Sequence, residues 1–260
     1  MPLGCFVLDE ETNLSAIGGE KNAGNGSGAE KDACNGGATE NRADSESNPY
    51  KKKGFWYGFY LCFKRFSDIL FSLLFLVLFS WLILLCLLIK FLEDFHNPIY
   101  VSVRIGKDGK PFKFFKIRSM RPDAEELKAK LIEQGLNEAD PPAFKMKNDP
   151  RITGFGKFLR KTSLDEILQF INVLNGTMSI VGPRPPLPEE VEKYNDYQKQ
   201  RLSVKGGLLC LWQIRKNRHS ISFDEWVESD LKYIKNQSAW LDFKIVVKGF
   251  FAVLFDHSGE

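Results

Sequence analysis

Ile69–Ile89 reads ILFSLLFLVLFSWLILLCLLI, an unbroken stretch without a formal charge. As a helix it would be about 32 Å long, near the thickness of a bilayer's hydrocarbon core. Apolarity on every side over this length points to a membrane segment rather than a core helix. Lys51, Lys52, Lys53, Lys64 and Arg65 precede the run, and Lys90, Arg104, Lys107, Lys110, Lys113 and Lys116 follow it. Basic flanks favour the cytoplasmic side. A single crossing would export one of them, whereas a helix that dips in and returns keeps both inside. The charge symmetry therefore favours a re-entrant helix over 66–92, within an anchoring segment 49–97. A turn in lipid leaves carbonyls to be satisfied. No proline interrupts the run, and Ser72 and Ser80 are the side chains able to bond them.

Outward from this segment the composition changes. Residues 1–48 are rich in Gly, Asn, Ala, Ser and Glu and read as a disordered tail, unable to bury enough apolar surface to offset chain entropy. The start is neither basic nor followed by a long apolar stretch, so it does not read as a signal peptide. The first fifty residues carry a net charge of −6 against +3 for the whole chain, so the remainder is +9. A basic body suits an anionic partner such as a lipid head group or a nucleotide. Nucleic acid would leave the apolar segment without a purpose. Cys5, Cys34, Cys62, Cys86 and Cys210 are far apart and form no CxxC, which argues against a disulfide framework or zinc site. His96, His219 and His257 are equally scattered, and none is assigned to metal or general-base work.

On the C-terminal side, YVSVRIGKDGKPFKFFKI (100–117) alternates apolar and polar residues around Lys107-Asp108-Gly109-Lys110, a β-hairpin pattern. Residues 123–138 are helical in pattern, with Pro122 at the first helical position. TSLDEILQFINVLNG (162–176) has helical spacing, a Ser163–Glu166 capping box and a Gly176 stop. The prolines of VGPRPPLPEE (181–190) exclude regular helix and central strand. A second capping box, Ser222 with Glu225, opens a long C-terminal helical stretch. Its Trp226, Tyr233, Trp240 and Phe243 suit either a membrane interface or core packing. The fold class expected is α+β, with several amphipathic helices, and residues 98–260 are expected to form the domain that follows the anchoring segment on the cytoplasmic side.

Three stretches carry candidate chemistry. In RPDAEE (121–126) an Asp in the first helical turn is stabilised as an anion by the helix dipole and nearby cations. Carboxylates attack phosphorus to give aspartyl phosphates, with Mg²⁺ or Arg offsetting the charge repulsion. A plain charged helix start explains the same residues. In DPRITGFGKFLRKTSLDE (149–166), Arg151, Lys157, Arg160 and Lys161 precede Asp165 and Glu166. Glu166 has a capping role, which leaves Asp165 freer for metal or substrate. In MSIVGPRPPLP (178–188), stiff prolines present Arg184, lowering the entropy lost on anion binding. No GxxxxGK[ST], GxGxxG or GxSxG occurs, so kinase-like, Rossmann and serine-hydrolase readings lack support.

In order, KRFSDILFSLLFLVLFS (64–80), RIGKDGKPFKFFKIRSM (104–120), DPRITGFGKFLRKTSLDEILQFINVLNGTMSIVGPRPPLP (149–188) and WQI (212–214) resemble the bacterial sugar transferase family, the monotopic polyprenyl-phosphate phosphoglycosyl transferases. The resemblance covers about 62–255 and extends to members that start exopolysaccharide or O-antigen synthesis with a hexose 1-phosphate. It implies a UDP-sugar donor bound with Mg²⁺ at the cytoplasmic face of the inner membrane. An Asp of an Asp/Glu dyad attacks the sugar-linked phosphate, UMP leaves, and polyprenyl (undecaprenyl) phosphate takes the phosphosugar. Carried onto this chain, Asp123 is the nucleophile and Glu126 or Glu125 its partner, with Asp123 and Glu126 holding the metal. Lys116, Arg118, Arg151 and Arg184 contact phosphate, and Asp165 and Glu166 match an acidic motif of structural or metal-supporting role. The chain departs from the family where Ala124 follows Asp123, which makes Glu125-Glu126 an alternative dyad. It also has Trp81 after Ser80 where the family often has proline, and Lys205-Gly206-Gly207 where Lys-Pro-Gly is usual. The departures leave room for an inactive membrane scaffold of a glycan assembly complex, and the sequence leaves a homodimer open.

Overall fold

The apolar run folds as two helices, α1 (Phe55–Leu78) and α2 (Ser80–Asp94), bent by 61° about Phe79. The break falls inside the stretch 66–92 expected to turn back, and it divides that stretch between two helices. No proline is needed, because the break keeps its hydrogen bonds. Phe79 N–H donates to Phe75 O and Ile83 N–H to Phe79 O, both at 2.9 Å. The Ser80 hydroxyl takes the Val77 carbonyl at 2.9 Å, inserting a side chain into the ladder where the axis turns. Ser72, expected to do the same, is buried and its hydroxyl has no hydrogen-bond partner among the described residues. The structure, a computed structural model, describes residues 54–136, 146, 148–214 and 221–255. The tail expected over 1–48 lies outside the described residues. No single described helix is long and apolar enough to cross a membrane, though the bent pair passes that test together.

One stripe of α1 is polar, and it grips the rest of the chain. The Arg65 guanidinium donates to the carbonyls of Val173 (2.6 Å) and Leu174 (2.7 Å). Those carbonyls end α5 (Gln169–Asn175), so a cation sits at the negative end of a helix. Asp68 accepts from the Ile180 N–H at 3.0 Å. Lys64 meets Asp242 at 2.8 Å, and the Tyr60 hydroxyl donates to the same carboxylate oxygen at 2.8 Å. The opposite faces of α1 and α2 expose Phe59, Phe66, Leu74, Trp81, Leu84 and Leu88.

Strands β1 (Ile99–Ile105) and β2 (Pro111–Ile117) pair antiparallel, with Val101 opposite Phe115. Their turn holds Asp108 at φ 57° and Gly109 at φ 76°, as the Lys-Asp-Gly-Lys sequence requires. Helix α3 (Ala124–Glu133) starts after Asp123 rather than at Pro122, and Asp123 makes no side-chain cap. Helix α4 (Gly154–Lys161) is capped by Thr153, whose Oγ1 accepts from Gly156 N–H at 3.0 Å. Between α4 and α5, Ser163 adopts a left-handed conformation (φ 57°) and caps nothing. The expected Ser163–Glu166 capping box is therefore absent, because the Glu166 side chain is drawn to Lys116 and Arg184 instead. Gly176, at φ 84°, ends α5 as expected.

The sequence did not announce the second sheet, a parallel pair of β3 (Met178–Val181) and β4 (Gly206–Leu209). Its sequences, MSIV and GGLL, are short, and the second is half glycine. A Cβ on Gly207 would lie 2.1 Å from Gly182 N, so the two backbones touch where side chains would have kept them apart. Two helical turns follow β3, α6 (Pro188–Val191) and α7 (Asp196–Lys199). After β4 come α8 (Phe223–Asn236), capped by Ser222 and Glu225 as expected, and α9 (Ala239–Phe255). Of the four aromatics with two readings, Tyr233 is in the core, Trp226 is half-buried, and Trp240 and Phe243 are exposed. Three apolar clusters hold the body together: α2 against β2 and α4 around Leu159 and Ile117, α8 and α9 around Val227 and Ile245, and β2 against α5 and β3 around Phe114 and Met178.

Candidate active site

Alternation along β2 turns Lys116 off the strand toward the short 3₁₀ turn Leu164–Glu166. That turn carries Asp165 and Glu166. Asn172 fixes the approach from α5. Its amide oxygen accepts from Phe115 N–H at 3.1 Å, and its amide nitrogen donates to Lys113 O at 2.6 Å. With β2 and α5 locked together, Lys116 Nζ lies 2.7 Å from Glu166 Oε1 and 3.8 Å from Asp165 Oδ2. Arg184, from the loop after β3, reaches the same Glu166 oxygen at 3.2 Å. Arg160 of α4 adds positive charge toward Asp165 while its Nε donates to Ser119 Oγ at 2.9 Å.

The two neighbouring carboxylates differ in state. Burial pushes Asp165 up from its ordinary value, with the Lys116 charge opposing it. Burial pushes Glu166 the same way, but Arg184 and Lys116 outweigh it and hold that carboxyl well below the ordinary range. Glu166 is thus a fixed anion with two cations on one oxygen. Asp165 has no hydrogen bond from any described residue, its nearest cation being the lysine. The cluster is not sealed: the side chains of Glu166 and Arg184 are 26% and 27% exposed. The Lys116 side chain is 20% exposed, so both cations present some surface to solvent, with Asp165 more deeply set beside them.

The other expected site residues lie elsewhere. Asp123 sits at the exposed start of α3, where both of its oxygens are held by Arg121, at 2.9 Å and 3.0 Å. Hydrogen bonding to Arg121 lowers its carboxyl. Glu125 and Glu126 are exposed on the same helix. Arg118 is bonded to Asp94 at the end of α2 (2.6 Å) and to Asn97 O (2.8 Å). Arg151 makes a forked, buried pair with Asp149, Nη2–Oδ2 being 2.7 Å. Of the four expected phosphate contacts, Lys116 and Arg184 are therefore brought together, and with Asp165 and Glu166 rather than with Asp123.

Sequence reasoning missed Arg201 and Asp230, a buried pair at 2.6 Å that adjoins Arg184. A signal for Asp230 was present: in α8 it stands beside Leu231 on the face of Val227 and Ile234, where a carboxylate needs a reason. For a metal, no group of three or more His, Cys, Asp or Glu gathers among the described residues. Mg²⁺, however, is commonly held by one or two carboxylates plus substrate phosphates, and the Asp165–Glu166 pair fits that pattern.

A family model described as bacterial sugar transferase matches residues 59–256. The galactosyl transferase CpsE of Streptococcus agalactiae is 43% identical over 198 residues, 76% of this chain and 43% of that protein. The undecaprenyl-phosphate galactose phosphotransferase of Salmonella typhimurium is 42% identical over 187 residues, 71% of this chain and 39% of that protein. The exopolysaccharide production protein ExoY of Rhizobium meliloti is 38% identical over 187 residues, 71% of this chain and 82% of that protein. The chain thus spans less than half of the first two relatives and most of the third.

Proposed function

This chain belongs to the bacterial sugar transferase family, and from that premise we propose that it moves a hexose 1-phosphate from a UDP-sugar to a polyprenyl phosphate. The observation that carries the reading is the meeting of Lys116, Arg184, Asp165 and Glu166. We assign the attack to Asp165 and not to Asp123, because Arg121 occupies both oxygens of Asp123, whereas those of Asp165 accept no hydrogen bond from a described residue and feel the charges of Lys116, Arg160 and Arg184. The relatives named for transfer to undecaprenyl phosphate favour a transferase over an inactive scaffold.

In this reading an Asp165 oxygen bonds to the sugar-linked phosphorus. The bond from that phosphorus to the bridging oxygen breaks, and its electron pair leaves on UMP. Lys116 and Arg184 turn from Glu166 toward the donor phosphates, and the fixed charge of Glu166 keeps both within reach. A phosphate oxygen of the polyprenyl carrier then bonds to the same phosphorus, and the Asp165 carboxylate is released. Mg²⁺ bound by the pair would neutralise charge on the diphosphate. The bent α1–α2 pair would lie in the cytoplasmic leaflet of the inner membrane, its exposed leucines and aromatics in the acyl region and both ends on the cytoplasmic side. Exposed Trp240, Phe243 and Phe250 of α9 suit the same interface.

The test is UMP release across several UDP-sugars with undecaprenyl phosphate, followed by mass spectrometry of trapped protein. Asp165→Asn is expected to lose both turnover and the phosphosugar adduct, and Asp123→Asn to keep them. An adduct on Asp123 would return the nucleophile to α3. No UMP from any UDP-sugar would remove the reading altogether.

A further inference from the structure

The loop that presents Arg184 has few amide protons of its own, because Pro183, Pro185 and Pro186 lack N–H groups. Its carbonyls, however, are each held. Pro183 O accepts from Gly207 N–H at 2.8 Å, and Pro186 O from Ile105 N–H at 3.0 Å. Between them, Arg184 O accepts from Arg201 Nη2 at 3.3 Å and Pro185 O from Arg104 Nη1 at 3.2 Å. Four successive carbonyls are thus tied to two strands and two guanidinium groups.

Of the two guanidinium groups, that of Arg201 is the more deeply buried. It is 3% exposed, and Asp230, 1% exposed, faces it. Asp230 Oδ2 accepts from Nη2 at 2.6 Å, the nitrogen that also reaches Arg184 O. Nη1 donates to the Tyr194 hydroxyl at 2.8 Å. The guanidinium carbon lies 5.5 Å from the centre of the Trp226 ring and 5.7 Å from that of Tyr194, so aromatic walls complete the socket. An isolated buried guanidinium would be costly, and its aspartate makes it tolerable. Replacing such a pair with apolar groups is often neutral or better for stability, so folding alone does not explain it. What a charged pair adds here is a directed donor at the backbone of Arg184, which meets both Glu166 and solvent.

We propose that Arg201, held by Asp230, is a positioning residue that sets the direction of Arg184 toward the donor phosphate. The proposal rests on the reading of Arg184 as a phosphate contact, and the experiment separates the two. UMP binding to the full chain in detergent micelles is titrated calorimetrically for the unaltered protein, Arg184→Gln, Arg201→Lys and the double variant. Lysine keeps the charge opposite Asp230 but lacks the fork that reaches Asp230, Tyr194 and Arg184 O together. Affinity refers to folded protein only, so a merely structural role lowers the melting temperature and leaves the dissociation constant unchanged. The expected result is about tenfold weaker binding for each single variant and no further loss in the double, since both remove one interaction. Weakening by Arg184→Gln with none by Arg201→Lys, or additive losses, would overturn the positioning role and leave the phosphate contact standing. No UMP binding by the unaltered chain, or binding indifferent to Arg184→Gln, would overturn the phosphate contact and the positioning role with it.

Discussion

Lys116→Met removes the cation between two carboxylates, and its consequence depends on pH in a definite direction. At the 3.8 Å separating Lys116 Nζ from Asp165 Oδ2, two unit charges attract by about 4 kcal/mol in a medium of effective dielectric near 20. The lysine side chain is 20% exposed and that of Asp165 11%. Arg184 and Arg160 continue to supply positive charge. Solvent and these neighbours reduce the net loss to about 2 kcal/mol. Asp165 is already pushed up by burial, and Lys116 is the largest influence against that push, so its removal sends the carboxyl further up. A carboxyl raised in the folded state gives stability that is complete below its unfolded value and lost as pH rises through the folded one. Glu166, depressed partly by Lys116, gives stability that is present above its unfolded value and lost as pH falls. The Asp165 effect places a deficit at neutral pH that shrinks toward pH 4, while the Glu166 part persists until pH falls to that group's depressed folded value, so the total deficit is smaller at pH 4 but not gone. Denaturant unfolding in micelles at pH 7.5 and pH 4 measures this directly, with Lys116→Arg as the charge-retaining control. In the pH–rate profile of UMP release, the acidic limb should move to higher pH in Lys116→Met. Equal stability deficits at the two pH values, with an unmoved limb, would refute the electrostatic account of the site.

Asn172→Asp keeps the acceptor for Phe115 N–H but loses the bond to Lys113 O and sets a carboxylate against that carbonyl. A cost of about 2–4 kcal/mol is expected, read as a lowered unfolding midpoint. Gly207→Ala forces a methyl to within 2.1 Å of Gly182 N, and the parallel pair should lose about 3 kcal/mol or fail to form, read by denaturant unfolding and by yield of folded protein. Arg65→Met strips two charge-assisted bonds from the end of α5 and is expected to cost about 2–3 kcal/mol. Hydrogen exchange of the α5 amides should show that loss locally.

Much of the architecture was legible because its signals are local. The hairpin turn needed residues that tolerate positive φ, and Asp108 and Gly109 stand there. Gly176 closes α5 and Ser222 opens α8 through contacts within a few positions. The Ser163–Glu166 pair shows the limit of such reasoning. The motif satisfied the local rule, but two cations from other elements outbid the backbone for the carboxylate. Asp123 shows the converse case, a local pairing that keeps the residue apart from the Lys116–Arg184 cluster. A carboxylate beside arginines in sequence meets the nearest one, Arg121, and is neutralised on the surface. The bend in the apolar run also lacked its customary proline, and a serine hydroxyl three residues beyond a carbonyl served instead.

The order of residues alone determined that a long apolar segment precedes a basic α+β body, and where most of its turns and caps fall. These follow from periodicity and from hydrogen bonds that close within one turn of chain. Tertiary structure alone decided which carboxylates meet the cations. Lys116 and Glu166 are 50 positions apart, Arg184 and Glu166 are 18 apart, and Arg201 and Asp230 are 29 apart. Their meeting depends on β2 packing on α5, on two glycine backbones touching, and on a proline loop whose carbonyls other elements hold. Charge acts through space at distances of a few ångströms, and only the packed chain fixes those distances.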